Sequence, residues 1–337
     1  MILTVLLALF SCATVLSQTS SYKLTSEQDL QDPAKYIVIE DFYDAGLEGT
    51  FAGENEIPIY YKIFKYPEVE HGAIMISSGR TEGALKFKEL IYDLCKNGYS
   101  VYIHDHRGQG LSGRMTEEPE MGYVDDFQYY IDDMKTFYDE FVKPADHKKV
   151  YMLSHSLGGA VGMSYLEQYP DDIDAASFSS PMLGLAGYIC PLAAILSGKT
   201  PKWAPGQTVY NNDSTKFEGN DVSGSETRYH VKIGAFSEVP EARLGGASAQ
   251  WLHQCCKGMK YIRKNIKKIE TPIFIFSAQN ETVVNPKSTA KFIKKANKAG
   301  LTCKTLLIDD AQHELLVEKD KQRTEMLSRT LEFYEEN

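Results

Sequence analysis

Short apolar runs separated by longer amphipathic stretches set the rhythm of this chain. Residues 73–77 (AIMIS) precede a helix-like run over 85–96. Residues 101–104 (VYIH) come next, then 150–153 (VYML) with a helical run over 159–169, and 175–178 (AASF). After a long gap follow 273–276 (IFIF) with 289–299, and 305–308 (TLLI) with 325–334. Each short run is apolar at odd and even positions alike and rich in Val, Ile and Phe, the pattern of strands buried on both faces. Such strands alternating with helices predict an α/β protein built on a mostly parallel, doubly wound sheet. Residues 37–38 and 57–64 read as antiparallel edge strands leading into it.

Between 181 and 271 the alternation stops. Gly, Ser, Asn and Asp become frequent there, with short amphipathic pieces such as 251–262. Insertions into open α/β sheets emerge at the carboxyl ends of strands, where ligands bind. Residues 184–268 are therefore expected to cap a site within a domain spanning 18–337. The early cap carries Met182, Leu183, Leu185, Tyr188, Ile189 and Leu192. It is apolar enough to form an acyl funnel or to touch a membrane peripherally, and Leu183, Tyr188 and Leu192 are the substrate-binding candidates. Ordinary packing of a cap helix on the core is the competing reading.

Composition narrows the class. The chain has 337 residues, 43% hydrophobic and 24% charged, with a formal net charge of −10. It is globular, and its acidity argues against a nucleic-acid partner or charge-driven docking on anionic lipid. Residues 1–16 are uncharged and mostly apolar, too short to span a bilayer, and lead into small residues and a polar run from Gln18. That layout predicts a cleaved signal peptide over 1–17 and a secreted or secretory-pathway protein, with membrane association as a further expectation. Five of the six cysteines follow position 17, an odd number, so buried thiols with one or two bridges are expected rather than a disulfide scaffold. No clustered Cys and His suggest a metal site.

The sharpest motif is Ser154-His155-Ser156-Leu157-Gly158. It follows an apolar strand and opens a helix, the strand, tight turn, helix context of a nucleophile elbow. Small residues are needed two before and two after the serine, where strand and helix pass closely; Ser154 and Gly158 satisfy this. The competing reading is a helix cap by Ser156. A serine hydroxyl needs a base, itself oriented by an acid. Glu281 is the only carboxylate in the loop after IFIF, and His313 in the loop after TLLI is the only histidine downstream of it. Nucleophile, acid and histidine thus occur in the chain order of α/β hydrolases. Leu157 N–H and Arg80 N–H, the latter after AIMIS, stand where oxyanion donors are required. His104-Asp105-His106 invites a metal reading, but no third ligand is near. The run 105–113 reads better as a tight loop pinned by Asp105 and Arg107.

The segments HDHRGQGLSGR (104–114), SHSLGGA (154–160), SSPMLG (179–184), QNETVV (279–284) and QHELLVEKD (312–320) resemble the lysophospholipase and monoacylglycerol lipase branch of the α/β hydrolases. The resemblance covers the chain from about Asp41 onward, cap included. It implies Ser156 as nucleophile, Glu281 as acid where many relatives have Asp, His313 as base, and Arg80 and Leu157 as oxyanion donors. Ser78-Gly79 stands where monoacylglycerol lipases carry His-Gly. The function expected is a serine ester hydrolase without cofactor, acting on a single-chain lipid ester, either lysophospholipid or monoacylglycerol. A serine peptidase of the proline-aminopeptidase type and a non-catalytic binding module are the rivals.

Overall fold

Period-two alternation sends the side chains of every central strand into two separate cores. In the computed structural model, which describes residues 22–66, 70–211 and 216–337, Ala73, Met75, Val150 and Met152 face one core while Ile74, Ile76, Tyr151 and Leu153 face the other. A strand buried on both sides needs no polar face, which is why these runs are apolar throughout. The residues before Tyr22, including the expected signal peptide, lie outside the described residues.

The described residues open with two helices, α1 (Glu27–Gln31) and α2 (Pro33–Asp44). The sheet follows as β1 (Leu47–Ala52), β2 (Pro58–Phe64), β3 (Gly72–Ser77), then α3 (Lys88–Lys96), β4 (Tyr99–His104) and α4 (Gln128–Phe137). Next come β5 (Val150–His155), α5 (Leu157–Leu166), β6 (Ala175–Ser179), α6 (Ile189–Leu196), α7 (Glu226–Glu238) and α8 (Ala249–Asn265). The chain closes with β7 (Ile273–Ala278), α9 (Pro286–Ala299), β8 (Cys303–Ile308) and α10 (Asp320–Glu335). The strand order is β1-β2-β4-β3-β5-β6-β7-β8, antiparallel through β1, β2 and β4 and parallel from there on. This is the α/β-hydrolase fold. Among the described residues no helix is long and apolar enough to cross a membrane.

Two expectations change. Residues 37–38 form no edge strand: they lie inside α2, started by Pro33 at its first position and by Asp32, whose side chain accepts from Ala34 N–H. The edge strand is β1, antiparallel to β2 with Leu47 opposite Ile63 and Ala52 opposite Pro58, and β2, expected at the edge, lies inside the sheet, antiparallel to β4 on its other side. Nor does the cap extend to 268. Trp251, Cys255, Met259 and Ile262 place one face of α8 in the same core as α5, so α8 packs against the helix layer beside the nucleophile turn. Spacings of three and four residues put those side chains on one stripe. The insertion therefore ends near Ser248, and a disulfide between Cys190 on α6 and Cys256 on α8 ties its first helix to that helix layer. Cys95, Cys255 and Cys303 are free.

Candidate active site

Packing forces the turn between β5 and α5. At Gly158 a Cβ would run into the carbonyl oxygens of Ser77 and Ser78 on the neighbouring strand end, so only glycine fits. Ser156 is held at φ 49°, ψ −112°, a conformation costing roughly 1–3 kcal/mol for a non-glycine residue. Its N–H donates to Ser179 O at 3.1 Å and its C=O accepts from Met182 N–H at 2.8 Å. These bonds fix the turn and leave the hydroxyl projecting from the sheet edge.

The loops after β7 and β8 bring the other two residues to it. His313 Nδ1–H donates to Glu281 Oε2 at 2.8 Å and Oε1 at 3.0 Å. With that proton fixed by the carboxylate, the lone pair of Nε2 faces Ser156 Oγ at 3.0 Å. Burial alone would raise the Glu281 pKa, but the hydrogen bond and charge of His313, with N–H donors from Val283 and Val284, hold it below the usual carboxylate range. The carboxylate is thus ionised wherever the imidazole must take up a proton. Hydroxyl, imidazole and carboxylate form an unbroken hydrogen-bonded line, the arrangement that turns a serine into a nucleophile.

Two N–H groups are the oxyanion-donor candidates, that of Leu157, next to the serine in the chain, and that of Arg80, in the loop after β3. Leu157 opens α5, where first-turn donors lack intrahelical partners. Among the described residues neither N–H meets a protein acceptor, so both are available to an oxyanion. The Arg80 loop is held from below. Gln109 Nε2 donates to Gly79 O at 2.7 Å and to Glu82 O at 2.8 Å, and Glu82 accepts from Gly79 N–H. The Gln109 loop is itself pinned. Asp105 accepts from Ala84 N–H at 2.7 Å and Leu111 N–H at 2.8 Å, and Arg107 makes a bidentate pair with Asp133, both bonds 2.6 Å. The sequence pointed to Asp105 and Arg107 but not to Gln109, which only the fold brings against the oxyanion loop.

A buried ionic cluster, also unread in the sequence, backs the histidine. Lys86 pairs with Glu82 and, at 2.9 Å, with Glu314; Lys232 reaches Glu314 at 3.2 Å. Burial would raise the Glu314 pKa, yet Lys232 and Lys86 drive it well below the usual carboxylate range. The ring of His155 lies 4.9 Å from that of His313, and burial pushes its pKa down to about 4. It is therefore neutral at pH 7 and does not repel a protonated His313. The signals were the Glu82 and Lys86 spacing, one helical turn, and Glu314 following His313.

A cavity of about 580 Å³ adjoins this machinery through Arg80 and Glu314. Its walls come from 206–211, Lys216, 218–222, the Tyr229, Lys232, Ile233 and Phe236 face of α7, and 243–246. The substrate-binding candidates do not line it. Leu183 is packed in the core, whereas Tyr188 and Leu192 are 72% and 40% exposed on the outer side of α6. The disulfide holds α6 against α8, which turns those side chains to solvent rather than over the site. Among the described residues no group of His, Cys, Asp and Glu side chains could hold a metal ion.

Comparisons with known proteins place these observations. Residues 68–320 match the family model described as Serine aminopeptidase, S33. Lysophospholipase L2 of Escherichia coli is 29% identical over 308 residues, covering 88% of this chain and 89% of that protein. Probable lysophospholipase L2 of Haemophilus influenzae is 32% identical over 294 residues, covering 85% of this chain and 91% of that protein. Among solved structures, a soluble variant of monoglyceride lipase from Saccharomyces cerevisiae superposes with a TM-score of 0.67 at 19% identity, over 86% of this chain and 95% of that one.

Proposed function

We propose, since this chain belongs to the Serine aminopeptidase, S33 family and to its lysophospholipase and monoacylglycerol lipase branch, that it hydrolyses single-chain lipid esters with Ser156, His313 and Glu281 as its triad. The chain is an ester hydrolase; the substrate and the residue roles are our reading. One observation carries it: the line from Ser156 Oγ through His313 to Glu281, with steps of 3.0 and 2.8 Å.

In this reading His313 Nε2 takes the proton of Ser156 as its oxygen attacks the ester carbonyl. The N–H groups of Arg80 and Leu157 hold the oxyanion, a contribution typically of about 3–4 kcal/mol per donor. His313 then gives its proton to the leaving glyceryl oxygen, which departs as the alcohol. Water, deprotonated by the same imidazole, attacks the acyl-serine; the fatty acid leaves and Ser156 regains its proton. Glu281 orients the ring and stabilises its charged form throughout.

Two further features support this setting. The exposed apolar side chains Tyr188, Leu192, Ile195 and Leu196 on α6 suit transient contact with the lipid aggregates that supply such substrates. The Cys190–Cys256 disulfide, with the apolar 1–16 segment, supports an oxidising, secretory-pathway location. Against an aminopeptidase, the interior of the cavity is cationic rather than acidic, unsuited to a free amino terminus.

Nitrophenyl esters of two to sixteen carbons, below their micelle concentrations, together with an aminoacyl arylamide, test the reading. Each buried methylene is worth about 0.8 kcal/mol, so kcat/KM is expected to rise up to several-fold per methylene until the acyl site is full. A flat profile, or an arylamide preferred tenfold, contradicts it.

A further inference from the structure

The cavity beside the site has an uneven charge. At its mouth Lys216, Glu218 and Asp221 are exposed and screened by water. Deeper in, among the described residues, the lining cations Arg80, Lys86, Lys232 and Arg243 face one lining carboxylate, Glu314, which pairs with Lys86 and Lys232, and Glu82 lies behind Lys86. The excess is two positive charges in a chain whose net charge is −10.

The four cations are not equivalent. Lys86 is saturated by Glu82 and Glu314. Arg80 is spent on the cavity wall, donating to Gly245 O and lying 5.3 Å from the Trp251 ring. Lys232 shares Glu314 at 3.2 Å and lies 4.6 Å from the Tyr229 ring centre, so one carboxylate, itself shared with Lys86, is its anionic partner among the described residues, and burial lowers its pKa. Arg243 meets no carboxylate among the described residues. Its Nε donates to Phe236 O at 2.7 Å, and its guanidinium lies 5.3 Å from the Tyr210 ring. Because Phe236 follows Lys232 by one helical turn, the ammonium and the guanidinium border the same space. Tyr229, Ile233 and Phe236 give that space an apolar side. Half-buried cations in such surroundings are costly unless an anion joins them.

We propose that Lys232 and Arg243 hold the phosphate of a single-chain phospholipid, so that the cavity takes the glycerophosphate end of the substrate while Ser156 attacks its ester. The assignment rests on the ester-hydrolase reading above and narrows its substrate class. Glycerol separates phosphate from ester carbonyl by only a handful of atoms. Glu314, the acceptor of Lys232, follows His313 directly, about 3.8 Å along the chain. A bound phosphate would complete the charge around Lys232 and present oxygens to the guanidinium N–H groups that Arg243 does not spend on Phe236 O and, at 3.4 Å, Ser237 O. A monoacylglycerol offers only hydroxyls there.

The test compares kcat/KM for a lysophosphatidylglycerol and for the monoacylglycerol of the same chain length, both below their micelle concentrations. The wild-type enzyme is expected to prefer the phospholipid. That preference should fall roughly ten- to a hundredfold in Lys232→Met and in Arg243→Gln, mainly through KM, and persist in Lys232→Arg. A merely structural role lowers both substrates together; an unchanged preference in both variants overturns the proposal. Inorganic phosphate is expected to compete with the lysophospholipid in the wild type and less so in Lys232→Met. Competition lost while the preference stays intact marks a free-anion site and overturns the headgroup assignment. Wild-type hydrolysis of both lipids without preference overturns the headgroup alone, whereas hydrolysis of neither overturns the ester-hydrolase reading itself.

Discussion

At the scale of single residues, Asp105 links the oxyanion loop to pH. Burial raises its pKa from 3.8 to about 6, although the N–H groups of Leu111 and Ala84 favour its charged form. A carboxyl that holds its proton more tightly when folded lends stability fully present below about pH 4 and lost as pH rises through about 6, on the order of 2–3 kcal/mol. Asp105→Asn removes this titration but turns an amide N–H toward one of the two backbone donors. Urea midpoints measured from pH 4 to 7 should therefore be lower overall for the variant and lack that downward component. Identical pH slopes in the two proteins would show that Asp105 does not titrate there. The triad was readable at this scale because each member is tied to its own strand end and the chain order is restrictive. Gln109 and Lys232 were not. They act through contacts between segments far apart in sequence, and as isolated polar residues they resemble any solvated side chain.

Among the elements, α6 depends most on one bond. The Cys190–Cys256 bridge closes a 66-residue separation, and the chain-entropy picture credits such a loop with roughly 4 kcal/mol. Replacing both cysteines by serine is expected to lower Tm by about 6 °C in a chain of this size. Calorimetry under oxidising and reducing conditions checks it: the wild type should shift on reduction and the double variant should not. An unchanged Tm would mean that α6 packs without the bridge. Elements were misread where local and tertiary signals conflict. Ile37 and Val38 have strand-forming side chains, yet Asp32 and Pro33 just before them start a helix. In α8 the stripe of Trp251, Cys255, Met259 and Ile262 was present in the sequence, but the polar, glycine-rich residues preceding it drew the whole interval into the cap.

For the whole molecule, the sheet was legible because strands buried on both faces leave a strong signature, and the cavity was not, because its walls come from parts of the chain as far apart as Arg80, Gly206, Tyr229, Arg243 and Glu314. Export is a property of this scale too. If residues 1–17 direct secretion, mass analysis of the mature protein should find an N-terminus near Gln18 and an oxidised Cys190–Cys256 pair; an intact Met1 contradicts it. The central claim is that Ser156, activated by His313 and Glu281, is the nucleophile. Intact-mass analysis after a fluorophosphonate tests it most directly. The account predicts one adduct per chain, mapped to the peptide carrying Ser156. It predicts no adduct, and a loss of hydrolysis on the order of 10⁶-fold, in a natively folded Ser156→Ala variant. An adduct on another residue, or hydrolysis retained by that variant, would contradict it.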